Sequence, residues 1–236
     1  IIYRNFTFSY EPYFGIVHIV LNFSDNLFNI VHSTKLSLLM NSFILLFLLW
    51  AIFYFLHSIL ITDWFKDLID KQIGSLMRYY RLSYNIFSTI TFLAILWYSA
   101  TLPVVQLVPK SIITHYSGLF LAVTGILVGK RGFKPYDTKE FLGISQAKGK
   151  YASKSSLIKT GILAKVRHPL YSATILIVIG FFLYSPTLAN GITVASALLY
   201  LLVGIPLEEK KLEKHFGEEY IKYKKEVPSV VPRIKF

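Results

Sequence analysis

Polar and apolar positions fall in long blocks along this chain. Leu36 to Thr62 carries no Asp, Glu, Lys or Arg and is long enough to cross a bilayer core of about 30 Å. Leu82 to Pro109 repeats the pattern, with Pro103 predicting a kink near its end. Ser111 to Gly129 is a third such block, of about the minimum length. His168 to Leu207 is a fourth, too long for one helix, with Ser185-Pro186 near its middle and Asn190-Gly191 just beyond. These turn signals predict two short helices, over about 170–184 and 188–207. Only helices let one chain satisfy its own backbone through such runs in lipid. The pattern therefore predicts an all-α, polytopic membrane protein with about five transmembrane helices.

The blocks divide the chain into 1–35, a non-cytoplasmic N-terminal segment; 36–129, three spans; 130–167, a basic loop; 168–207, a helical hairpin; and 208–236, a C-terminal tail. The first segment, rich in Tyr, Phe and Asn, reads equally as an interfacial cap, as extended structure or as a sixth membrane segment. Because the chain begins at Ile1, its true start is expected to lie upstream or to have been processed. The segment lacks the basic-then-apolar order of a signal peptide.

Composition agrees with a membrane class. Of 236 residues, 54% are hydrophobic and 16% charged, against about 25% charged in a soluble domain. There is no cysteine, which removes a thiolate metal site, a disulfide framework and a cysteine nucleophile. No His/Glu pair has zinc-ligand spacing, so no metal is expected.

The net charge of +12 is one-sided. Segment 130–167 holds ten basic and two acidic residues, 208–236 eight and six, and 63–81 four and three. Five crossings place these three segments on one face, which the excess of Lys and Arg marks as cytoplasmic, with the N-terminus outside. Such a distribution fits a topology signal beside anionic lipid, and not a nucleic-acid surface.

The candidate chemistry lies at the two ends of the apolar hairpin. Pro169 suits the first turn of a helix, so Arg167 and His168 stand just before a helix N-terminus, a favourable place for a carboxylate or phosphate. Tyr171 follows one turn inward. At the other end stand Glu208-Glu209 and His215-Phe216-Gly217-Glu218-Glu219-Tyr220. Glu208 and Glu209 point about 100° apart on a helix and need not share a role. An anion site facing carboxylates and aromatics fits a zwitterionic, ring-bearing ligand. The same residues also read as a positive-inside anchor and an amphipathic surface helix.

Leu157-Ile158-Lys159-Thr160-Gly161 and Val166-Arg167-His168-Pro169-Leu170-Tyr171, then Glu208-Glu209-x3-Glu213-x2-Phe216-Gly217-Glu218-Glu219-Tyr220-x2-Tyr223-x3-Val227-Pro228, resemble the two halves of the cofactor motif of the isoprenylcysteine carboxyl methyltransferase family and related phospholipid methyltransferases. The resemblance covers 157–232. It implies an S-adenosylmethionine pocket lined by Thr160, Gly161, His168, Pro169, Tyr171, Glu208, Glu209, Phe216 and Tyr220, with Arg167, His168 and Glu209 at the reacting end. Departures at Ile162-Leu163, Ala173 and Gly204-Ile205-Pro206 bear on a prenylcysteine substrate more than on the cofactor.

Upstream, His57-Ser58-x-Leu60 and Arg78-x2-Arg81-Leu82-x-Tyr84-Asn85 resemble bacterial membrane methyltransferases of the methanethiol S-methyltransferase group. This implies that His57, Arg81, Tyr84 and Asn85 shape the substrate side. Without it, His57 reads as a helix-capping or interfacial histidine, and the other three as an interfacial anchor.

Together these resemblances imply a membrane-embedded, S-adenosylmethionine-dependent methyltransferase acting on a lipophilic or small acceptor, either an isoprenylcysteine carboxylate or a thiol. Two other classes share the architecture: a nicotinamide-dependent sterol-type reductase, and a scaffold with a vestigial cofactor motif. Binding of one cofactor, the other or neither separates the three. Gly125-x3-Gly129 reads as small-residue helix packing.

Overall fold

The computed structural model describes residues 11–150 and 156–233, with side chains from residue 34 onward. Among these residues it is all-helical, apart from an isolated antiparallel bridge between Gln106 and Thr187. The chain divides into two compact units, Ile1–Ile44 and Leu45–Phe236.

The first unit carries the N-terminal part of α1 (Glu11–Leu60). Its described residues are helical from Glu11 and so are not extended over that stretch; residues 1–10 lie outside the described residues. Ser42 donates to the Leu38 carbonyl one turn back, which satisfies its hydroxyl within the helix.

The second unit holds the end of α1 and every other element. Thr62 caps α2 (Asp63–Ile73) by accepting from the Phe65 amide. A 3₁₀ turn (Gly74–Tyr79) leads into α3 (Tyr80–Thr101). This helix stops short of the expected Pro109, because Leu102 takes an extended conformation (ψ 150°) before Pro103. Pro103 thus ends the helix and does not kink it. Ser111 and Thr114 form a reciprocal capping box at the start of α4 (Ile112–Phe133). Two short helices follow, α5 (Thr138–Phe141) and α6 (Ile144–Ala147). A second 3₁₀ turn (Gly161–Ala164) precedes the hairpin of α7 (Pro169–Tyr184) and α8 (Leu188–Phe216), and α9 (Glu218–Glu226) closes the chain.

Three helical segments are long and apolar enough to cross a membrane: Thr34–Leu60, Ile112–Phe133 and Leu188–Phe216. At 22 residues α3 is long enough, about 33 Å, but Ser, Thr, Tyr and Asn dilute its apolarity. The 16 residues of α7 rise about 24 Å, short of the hydrocarbon thickness. This is an integral membrane protein of the all-α class.

Helices α4 and α7 run antiparallel in backbone contact. Gly118 faces Gly180 and Tyr184, Gly125 faces Ala173 and Ile177, and Gly132 faces Pro169 and Leu170. A Cβ on Gly118 would stand 2.5 Å from the Tyr184 nitrogen, so only glycine permits the approach. Gly129, the second member of the expected pair, sits at the margin of this seam, where a Cβ would make an ordinary 3.4 Å contact with Ala173. The α7–α8 turn is tied to the α3–α4 loop through Leu107 N to Pro186 O (2.9 Å) and Leu188 N to Val105 O (2.8 Å). Asn190 is not in the turn: it lies in the first turn of α8 and donates its side-chain amide to the Ser185 carbonyl. The opposite end of the bundle gathers the end of α4, the start of α3, the start of α7 and the second half of α8.

Candidate functional site

Helix α8 does not end at the expected Leu207 but continues through Pro206 to Phe216. Glu208 and Glu209 are therefore helical and differ in burial, with His168 between them, Nε2 3.1 Å from Glu209 and Nδ1 3.8 Å from Glu208. Glu209 is buried, at 6% exposure. Its Oε1 accepts from Arg167 Nη2 (2.5 Å), Arg167 Nε (3.0 Å) and His168 Nε2 (3.1 Å), and its Oε2 lies 2.9 Å from Lys224 Nζ. The Glu208 side chain keeps 43% exposure and accepts the Tyr171 hydroxyl at 2.5 Å.

Arg167 is also the clasp for the C-terminal tail. Its Nη1 donates to the backbone carbonyls of Lys224 and Val227. The tail then runs beside the start of α7: Arg167 N donates to Pro228 O (2.9 Å), His168 N to Ser229 O (2.9 Å) and Ser172 Oγ to Val230 O (2.6 Å). Pro169 is buried at the first position of α7, where its missing N–H costs nothing. The His168 and Tyr171 rings stack at 5.4 Å, with 20° between their planes.

Under this polar layer Tyr220, Tyr223 and Val227 form a buried apolar cluster, against which Leu157, Leu212 and Phe216 pack. Phe216 and Tyr220 are thus part of the floor of the site. Tyr223 donates to the Leu163 carbonyl at 2.5 Å. The Tyr220 hydroxyl is buried beside Arg167 and Glu209, and among the described residues no hydrogen bond of ordinary geometry reaches it. Burial pushes both tyrosines up to about 12. Lys224 is raised as well, by its bonds to Glu213 and then Glu209. Thr160 and Gly161 are exposed at the start of the second 3₁₀ turn, Gly161 with φ +65°. They lead the chain towards Arg167, but no hydrogen bond joins them to its partners among the described residues.

The four upstream residues separate into two pairs. Arg81 Nε (3.1 Å) and Asn85 Nδ2 (3.2 Å) both donate to the Phe141 carbonyl and so anchor the basic loop to α3. His57 and Tyr84 bond to each other, with the Tyr84 hydroxyl 2.7 Å from His57 Nδ1.

Several residues at the site were not singled out from sequence. Lys224 is one; its place one turn after Tyr220 on α9 was its only sequence signal. Tyr136, after α4, is another. It is an electrostatic neighbour of Glu208, and its hydroxyl is raised by burial and then by that carboxylate. Nothing local marks it, since it is 72 positions from Glu208.

A family model described as "Protein of unknown function (DUF1295)" matches residues 14–227. The chain belongs to this family. Among curated proteins, this DUF1295 member is 29% identical over 202 residues to methanethiol S-methyltransferase 1 of Bradyrhizobium diazoefficiens, covering 78% of the chain and 65% of that relative. It is 39% identical over 71 residues to methanethiol S-methyltransferase of Crocosphaera subtropica, 29% of the chain and 26% of the relative. A third match, 34% over 80 residues, is to methanethiol S-methyltransferase of Pseudomonas deceptionensis, 33% of the chain and 29% of the relative. The chain thus spans less than two thirds of the length of these relatives. No solved structure gives a significant match. The resemblance to membrane methyltransferases read from the sequence is borne out.

Proposed function

We propose that this DUF1295 member is a membrane methyltransferase that takes its methyl group from S-adenosylmethionine and passes it to a small thiol. The observation that carries the reading is the meeting of the two motif halves at one end of the hairpin: Arg167, His168 and Tyr171 from one half, Glu208 and Glu209 from the other, within hydrogen-bonding distance. The thiol comes from the relatives, all three of which are named methanethiol S-methyltransferase.

The residues present fit such a donor. Glu208 is a half-exposed carboxylate flanked by Tyr171 and Tyr136. Carboxylates bond ribose hydroxyls, and aromatic faces attract a sulfonium. The buried Tyr220 hydroxyl lies beside Arg167 and Glu209. Glu208, Tyr171 and Tyr136 would contact the donor, with Thr160 and Gly161 at its approach. Arg167, His168 and Glu209 are satisfied by one another and hold those contacts in place. The donor supplies an electrophilic methyl on a sulfonium; the chain supplies position and exclusion of water. Pro169 and Phe216 complete the frame. The excess of basic residues at this end makes it cytoplasmic, with the N-terminus opposite.

Titration of the purified protein in nanodiscs with S-adenosylhomocysteine tests the donor. Methyl transfer from labelled S-adenosylmethionine to short alkyl thiols tests the acceptor. Absence of binding removes the reading; binding without transfer to thiols removes the acceptor class.

A further inference from the structure

Away from the Arg167–Glu209 cluster, α1, α3 and α8 bring four ring side chains together between the membrane-spanning helices. Tyr54 and Tyr200 stack face to face at 4.5 Å, with 13° between the planes. The His57 ring stands 6.2 Å from Tyr200 and 5.3 Å from Tyr84. The Tyr84 hydroxyl lies 2.7 Å from Nδ1 and 2.9 Å from Nε2 of His57, and donates to whichever nitrogen carries no proton. With the Ser88 hydroxyl also a hydrogen-bonding neighbour of this oxygen, one lone pair remains able to accept a proton. Two of these residues, Tyr54 and Tyr200, belong to no motif read from the sequence.

This cluster and the Glu208 site lie along one face of α8. Tyr200, Gly204 and Glu208 are spaced by four, so they share that face, and Tyr200 to Glu208 spans about 12 Å of helix axis. Tyr200 is an electrostatic neighbour of both Glu208 and Tyr84. Between them Gly204 leaves open space: a Cβ there would find nothing nearer than the Tyr200 ring, at 3.9 Å. This gap is unlike the glycine seam of α4, where each missing side chain is replaced by a neighbouring helix. Phe53 contacts His57 at 5.7 Å. It also lines an apolar cleft of about 210 Å³ between α1 and α3, with Leu56 and Ile95. An uncharged thiol therefore has an apolar approach to the cluster.

We propose, resting on the thiol methyltransferase reading, that the Tyr54–His57–Tyr84–Tyr200 cluster binds the acceptor, that Tyr84 and His57 take up its proton, and that the Gly204 gap is where acceptor and donor meet. In the reaction a bond forms between the thiol sulfur and the methyl carbon. The bond from that carbon to the donor sulfur breaks, leaving its electron pair on the donor sulfur as a neutral thioether. The thiol proton passes to the Tyr84 oxygen as Tyr84 gives its own proton to His57. Aromatic faces suit the sulfur before and after transfer.

The test compares an alkyl thiol with an aryl thiol that is already ionised at neutral pH. In Tyr84→Phe, turnover of the alkyl thiol falls about 100-fold or more, the scale of general acid–base assistance. Turnover of the aryl thiol stays within about threefold, and S-adenosylhomocysteine affinity is unchanged by calorimetry. Equal losses for both thiols, or none for either, overturn the proton role. Should Tyr84→Phe not accumulate, His57→Gln carries the same comparison. Binding of a dialkyl sulfide is read separately by saturation-transfer NMR in nanodiscs, without donor. Wild type and Tyr84→Phe give the same signal, and Gly204→Leu, or Tyr200→Trp if that variant fails to fold, abolishes it. An undiminished signal overturns the acceptor site. Wild-type protein that binds the sulfide but no S-adenosylhomocysteine would remove the donor reading and leave the cluster as a thioether site.

Discussion

Arg167 and Glu209, 42 residues apart in the chain, meet with Nη2 2.5 Å from Oε1, and both side chains are less than one-tenth exposed. The pair joins the start of α7 to α8, and through the Lys224 and Val227 carbonyls it joins both to the tail. Removing one partner of a buried pair strands the other charge at a cost of about 3–5 kcal/mol, whereas replacing both with apolar groups of similar volume costs much less. Glu209→Leu is therefore expected to lower the thermal midpoint of the protein in detergent sharply. The double variant Arg167→Met with Glu209→Leu should recover part of the loss, the rest staying with the Lys224 and Val227 carbonyls that Arg167 no longer holds. A double variant no better than the single one would show that the pair does not act as a unit.

Glu208 has the opposite character. It is half-exposed, its one hydrogen bond among the described residues is from Tyr171, and the nearest basic group is His168 Nδ1, 3.8 Å away, with no Lys or Arg paired to it there. Glu208→Gln keeps the shape and an acceptor for Tyr171 but removes the charge. A hydrogen bond to a charged group is worth about 1.5–3 kcal/mol, so S-adenosylhomocysteine affinity should fall between about tenfold and a hundredfold. The thermal midpoint should stay near that of wild type, as for surface substitutions. Calorimetry and a thermal scan on one preparation separate the two effects.

The floor of the site sets an alkaline limit. Burial raises Tyr220 and Tyr223 to about 12, and Glu213 and Glu209 raise Lys224. All three groups hold their proton more tightly folded than unfolded. Their contribution is therefore full below the ordinary pKa of each group, about 10, and is lost as pH rises towards their folded values. Stability should decline from about pH 10 upwards. In an ultraviolet phenolate titration, Tyr223→Phe should remove one late-titrating tyrosine near pH 12 and soften the decline. An unchanged late step would place Tyr223 in a wetter environment.

Local pattern carried the parts of this fold that depend on local chemistry. The α7 start at Pro169 and the turn at Ser185-Pro186 follow from one residue or a pair. So does the different fate of Glu208 and Glu209, because adjacent helical residues must diverge. What escaped depends on contacts over many positions. Tyr136 reaches Glu208 only because α4 runs against α7. Arg81 and Asn85 share one carbonyl, Phe141 O, and no spacing between Arg81 and Phe141 announces it. Glu208 reads as the edge of an apolar run, yet α8 runs on to Phe216, because a charged helix continues at no cost once outside lipid.

The glycines of α4 make the last test, because two readings of the same helix diverge there. The pair Gly125 and Gly129 matches a small-residue packing motif, but the seam against α7 uses Gly118, Gly125 and Gly132 at a seven-residue repeat. Such a repeat keeps one face of a helix turned to its neighbour over three or four turns. A methyl on Gly118 would lie 2.5 Å from the Tyr184 nitrogen and 2.6 Å from the Gly180 oxygen, both backbone atoms that yield only if a helix moves. Overpacking of this kind costs about 1–3 kcal/mol or more. Gly118→Ala should therefore lower the thermal midpoint in detergent. It should also weaken S-adenosylhomocysteine binding at the far end of the pair, since α7 carries Tyr171. Gly129→Ala adds a methyl at ordinary contact distance from Ala173, and it replaces glycine with a better helix former. It should leave both measurements unchanged or raise the midpoint slightly. If the two variants behaved alike, the α4–α7 seam would not be the contact that positions the start of α7.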